Sequence, residues 1–145
     1  MSELVLLITL GGRTAALRAS AIHSVVELDA VIPVPRAPAH LLGLSALRSN
    51  TLTVIDTAAA IGLAPTGNPG KGARTPIVDH CGQRYALVVE DIDDVATTDG
   101  APTGVPGEAG PGWQQASEGL VETSRGPALL LSLEAVLGAN AVLAA

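Results

Sequence analysis

Residues 33–63 read PVPRAPAHLLGLSALRSNTLTVIDTAAAIGL, and the order of residue types along them decides the fold class. Pro33, Pro35 and Pro38 hold φ near −65° and remove backbone donors, so the segment enters as a stiff, extended approach. Two short apolar runs follow, Leu42–Leu47 and Leu52–Ile55, separated by the polar pair Ser49-Asn50. Runs of this length on either side of a turn signal predict two strands. Asp56 is placed to cap a short helix over Thr57–Ile61, and Gly62 to end it. Gly43, inside the first run, lets the backbone come close to another group. Arg48 stands at the end of that run, next to the turn. An arginine there is either an ordinary surface charge or a binding group.

The same grammar extends in both directions. Short apolar runs bounded by Gly, Pro, Asp or Asn predict strands at Leu4–Leu10, Thr14–Leu17, His23–Leu28, Thr75–Asp79, Tyr85–Glu90, Leu120–Thr123 and Ala128–Leu131. Gly11-Gly12 is a hairpin signal, because glycine accepts the positive φ that tight hairpin turns require. Ser132 can cap a helix over Leu133–Leu137, with Glu134 in its favourable first turn and Gly138 as its stop. The Gly- and Pro-rich stretches Ala64–Arg74 and Gly100–Gly112 are expected to be irregular. A cut near the first leaves two blocks of several strands, each too small to be comfortable alone. Two small barrels packed on one another are the natural expectation, since closure removes exposed sheet edges.

Composition narrows the function. Of 145 residues 48% are hydrophobic, yet Phe is absent and Trp113 and Tyr85 are the only aromatics, so the core must be aliphatic. Charged residues make up 15%, below the ~25% of ordinary soluble domains, which leaves weakly polar surface for protein partners. Eight basic against fourteen acidic residues give a net charge of −6. With no basic cluster and almost no stacking groups, nucleic acid is excluded as a partner. Cys81 is the sole cysteine, which fits a reducing cytosol and rules out an intrachain disulfide or a paired-cysteine zinc pattern. The run Leu4–Leu10 follows Glu3 and is too short to span a bilayer, so no membrane insertion is expected.

Chemistry-bearing patterns are few. Asp79-His80-Cys81 offers an acid, a base and a thiol, but neighbours on an extended strand face opposite ways, and the segment reads as a strand-end turn closed by Gly82. His23 and His40 lie far from His80 in sequence, so no metal site is expected. The acidic run Glu90, Asp91, Asp93, Asp94 lacks the glycine and distal Glu of a calcium loop and reads as a solvated strand end. Gly67–Gly72 has a lysine among glycines, but Gly72 stands where a phosphate loop needs Ser or Thr. No catalytic residue and no cofactor follow from these patterns. A thiol enzyme using Cys81 remains as the alternative from a different class.

Taken together, the segments resemble the CheW family, the adaptor proteins of bacterial chemosensory arrays. The resemblance rests on Leu4–Leu17 as the initial hairpin, Val34-Pro35-Arg36-Ala37-Pro38 as the approach, and Gly43. It continues through Leu47-Arg48-Ser49 for the family's "LRG", Thr53-Val54-Ile55-Asp56 for "PVIDL" and Ile61-Gly62-Leu63 for "LGL". Tyr85–Val95 is similar to the "GLLVDEVxDV" segment, and Gly119-Leu120-Val121 with Ala128–Leu137 to the closing strands and helix. Ser49 replaces the motif glycine, Thr53 the usual proline, and Ser24 stands where many relatives carry a Glu able to pair with the motif arginine.

The resemblance implies a mostly-β, single CheW-like domain over residues 1–145, made of two five-stranded SH3-like barrels with short helices. One subdomain is expected over about residues 14–66 plus the C-terminal strand and helix, the other over about 75–125 plus the N-terminal strand. It implies a cytoplasmic, non-catalytic scaffold that links the helical tips of chemoreceptors to the regulatory domain of the histidine kinase CheA. A hydrophobic groove between the subdomains would take the receptor helices, lined by Ile22, Gly43, Arg48 and Val88 or Val89, in the manner of a helix laid in an apolar groove. Another face of the first subdomain would bind the kinase. The same fold also suits a regulatory module of a non-motility two-component pathway.

Overall fold

The computed structural model describes residues 2–144, with side chains as far as residue 138; Met1 and Ala145 of the expected domain lie outside the described residues. Ten strands form two five-stranded sheets, the architecture expected from the sequence. One sheet is a closed barrel in the order β1 (Leu4–Leu10), β2 (Arg13–Arg18), β10 (Gly126–Leu131), β9 (Ser117–Thr123), β8 (Asp91–Thr103). The other runs β3 (Ile22–Glu27), β6 (Arg74–His80), β7 (Gln83–Val88), β5 (Asn50–Asp56), β4 (Leu41–Leu47), which leaves β3 and β4 at its ends. Neighbours are antiparallel except β2 with β10 and β5 with β7, which are parallel.

Those two parallel pairs redraw the subdomain boundary. The second sheet is built from one continuous segment, residues 22–88, while the barrel combines the N-terminal hairpin with residues 91–131. The stretch Ala64–Arg74, where a division was expected, falls inside the second sheet's segment, between β5 and β6. Parallel pairing joins strands distant in the chain, so local composition carries no mark of it.

Alternation of side chains across each strand explains why the central runs are apolar throughout. On β1, Val5 and Leu7 pack with Ala16, Val121 and Leu130, while Leu6, Ile8 and Leu10 face the opposite way into a larger cluster. That larger cluster is shared by both sheets, since Ile55, Val78, Tyr85 and Leu87 of the second sheet belong to it. Helices α1 (Thr57–Ala60), α2 (Pro111–Ala116) and α3 (Leu133–Ala144) add Ala58, Trp113 and Leu137. Trp113 reaches this position because Gly112 packs on the end of α1: a Cβ at residue 112 would lie 2.1 Å from the Ile61 carbonyl oxygen.

Asp56 caps α1 as its sequence position predicts, accepting from the Ala59 amide at 3.2 Å. It also accepts from the amides of Thr66 and Gly67, which ties down the start of the Gly- and Pro-rich loop. Ser132 accepts from the Ala135 amide at the start of α3, but the helix continues through Gly138 to Ala144 instead of stopping there. Gly100–Gly112, expected to be irregular, contains the end of β8, a 3-10 turn at Gly107–Ala109 and the start of α2. β8 itself escapes its pattern because only Ala96 and Thr98 are buried along it. The acidic run forms its solvated start.

Candidate functional site

The hairpin β4–β5 turns at Arg48-Ser49, one residue earlier than Ser49-Asn50, because Leu47 pairs with Asn50. Both turn residues have positive φ, 49° and 72°, as tight hairpin turns demand. Ser49 therefore occupies without a glycine's freedom the position that the motif glycine would take. Arg48 is exposed and makes no hydrogen bond or ion pair among the described residues. Ser24 bonds to the neighbouring imidazole of His23 at 3.1 Å.

The five residues expected to line one groove occupy separate places. Ile22 opens β3 and Val89 follows β7; both are half-buried at the margin of the core shared by the two sheets. Val88 is 2% exposed and packs in the second sheet's own cluster with Leu52, Val54, Ile77 and Ala86, so it presents no surface to a partner. It pairs with Asp56, at the opposite end of β5 from Arg48, about 20 Å away along an extended strand. Gly43 is buried within β4. A Cβ there would lie 2.2 Å from the Ile32 carbonyl oxygen, so its role is backbone contact.

An exposed apolar surface lies beside Gly43. Ile32 bridges Leu44 through two backbone hydrogen bonds of 2.8 and 2.9 Å. Ile32, Val34 and Leu44 are 66%, 38% and 38% exposed, high values for large aliphatic side chains that adjoin one another. Val34 and Leu44 border a groove of about 270 Å³ whose lining includes Pro35, Pro38, Thr53 and Tyr85. The Tyr85 hydroxyl donates to Gln83 Oε1 at 2.8 Å. Burial, and secondarily the nearby Cys81, push its pKa above the ordinary tyrosine value. In the sequence Leu44 carries only the apolar character of a strand residue; its exposure follows from the place of β4 at the end of its sheet.

The turn Cys81-Gly82 joins β6 to β7 with both residues at positive φ. Cys81 is therefore not on an extended strand, and the alternation expected across Asp79-His80-Cys81 stops at His80. The donor atoms of His80, Cys81 and Glu134 all lie within 4.8 Å of one another, and His80 Nε2 stands 3.4 Å from Glu134 Oε2. Cys81 is exposed, on an open turn.

No helix among the described residues is long and apolar enough to cross a membrane. No curated protein matches the sequence. Among solved structures, the crystal structure of the scaffolding protein TtCheW from Thermoanaerobacter tengcongensis superposes with a TM-score of 0.80, at 23% identity, over 94% of this chain and 93% of that one. At that identity the likeness concerns the fold. The sequence itself matches the CheW-like domain family over residues 4–141, nearly its whole length, and the chain belongs to that family.

Proposed function

We propose that this protein is a non-catalytic adaptor of a bacterial chemosensory pathway, working in the cytoplasm by coupling chemoreceptor tips to the regulatory domain of the histidine kinase CheA. Membership of the CheW-like family supports the scaffold role. The observation that carries the binding reading is the exposed aliphatic strip Ile32, Val34 and Leu44 beside an apolar groove on the end strand of the second sheet. Contiguous exposed apolar residues of this kind mark protein contacts. Arg48, unpaired on the hairpin that extends the same strand, supplies a charge that orients a partner. Ile22 and Val89 lie apart from this strip, at the margin between the sheets, and serve as a second contact.

A few central side chains dominate such interfaces while the rim is nearly neutral. Pull-down with a receptor-tip fragment and, separately, the kinase regulatory domain tests the reading. Wild type recovers both; Leu44→Asp with Ile32→Asp, and Arg48→Glu, each lower recovery of at least one while leaving the circular dichroism spectrum unchanged. Failure of wild type to recover either partner overturns the adaptor reading. Equal recovery with Arg48→Glu removes Arg48 from the site.

A further inference from the structure

We propose that His80, Cys81 and Glu134 form a three-ligand binding site for a thiophilic divalent cation of the zinc class, with the remaining coordination positions open to water. Tetrahedral zinc, with bonds of about 2.0–2.3 Å to N, O and S, separates its donors by roughly 3.3–3.8 Å. His80 Nε2 and Glu134 Oε2 already stand 3.4 Å apart. The third donor lies within 4.8 Å of both, on an exposed side chain that closes the remaining gap by rotating about its own bonds. The His80 side chain is only 14% exposed, so little rotational freedom is lost when its ring binds.

The donor set selects the ion. A thiolate, an imidazole and a carboxylate suit zinc and related transition ions, whereas magnesium and calcium prefer sites made of oxygen. On binding, the Cys81 thiol releases its proton to solvent, and thiolate plus carboxylate balance the two positive charges of the ion. The nearest arginine on the same hairpin, Arg84, is already engaged with Asp79 at 3.1 Å.

The three ligands come from different parts of the fold. His80 and Cys81 sit at the tip of the β6–β7 hairpin of the second sheet, and Glu134 in the first turn of α3, which follows the barrel strand β10. A bound ion would pin the barrel's terminal helix to the second sheet and stiffen the seam between the two.

The test titrates the reduced, tag-free, full-length chain, stripped with a chelator, first with cobalt(II) and then with zinc. Expected are one ion per chain, a near-ultraviolet sulfur-to-cobalt charge-transfer band, and a melting temperature that rises with zinc. Cys81→Ser removes the band, and both Cys81→Ser and Glu134→Gln weaken zinc binding by about tenfold or more. Both residues are exposed, so these variants keep the fold. A cobalt complex without the sulfur band, or zinc affinity unchanged by either substitution, overturns the site and leaves an ordinary His80–Glu134 pair.

Discussion

The backbone of Gly43 runs so close to Ile32 that a Cβ on residue 43 would stand 2.2 Å from the Ile32 carbonyl oxygen and 2.7 Å from its carbon. That carbonyl also accepts from the Leu44 amide, so the contact positions the strip of Ile32 and Leu44. A methyl group must push backbone away from backbone, because its two nearest atoms are the carbonyl oxygen and carbon of Ile32. We expect Gly43→Ala to destabilise the protein by about 2–3 kcal/mol, in the range of strained backbone sites, and to weaken partner capture along with the strip. Urea unfolding followed through Trp113, the only tryptophan, measures it; a change under about 0.5 kcal/mol, the range of ordinary surface substitutions, would show that the strand yields freely.

Asp56 is fully buried and accepts from three backbone amides, those of Ala59, Thr66 and Gly67. Alanine there removes a helix cap and leaves three partly buried amides without their acceptor, so the expected loss is about 1–3 kcal/mol. Asparagine keeps one acceptor oxygen and loses less. Denaturant midpoints for the three proteins give the order wild type, Asn, Ala; an alanine variant as stable as wild type would contradict the cap.

Tyr85 is the single tyrosine, and its hydroxyl is held above the ordinary value by burial and then by Cys81. The folded state thus prefers the protonated phenol. Stability from this preference is complete below the unfolded value of about 10 and is lost as pH rises from there through the folded value. Absorbance titration of phenolate formation should show a midpoint above 10 in the native protein, falling to about 10 in denaturant. A native midpoint at or below the denatured one would refute the placement of this side chain.

How far the site was legible depends on the kind of information each residue carries. Asp56 was readable because capping is local: a carboxylate before a short apolar run has amides within reach whatever the rest of the chain does. Gly43 was readable as a close approach, though not what it approached. Val88 was misplaced because an apolar residue near a strand end has the same sequence appearance on either face, and a one-residue difference separates core from surface. Val89, its neighbour, is the one at the margin. Ile32, Val34 and Leu44 went unnoticed because exposure of an aliphatic side chain is a property of what fails to cover it.

By itself the amino-acid sequence determined that the chain would be mostly strand, cored by aliphatic residues, punctuated at Gly11-Gly12 and capped at Asp56, since turn chemistry and burial alternation act over a few residues. Only the tertiary structure decided which strands share a sheet, because β2 with β10 and β5 with β7 pair across long stretches of chain. It also decided that His80 and Cys81 meet Glu134. Such meetings depend on how separate segments are packed against one another, and no local pattern of residue types records that packing.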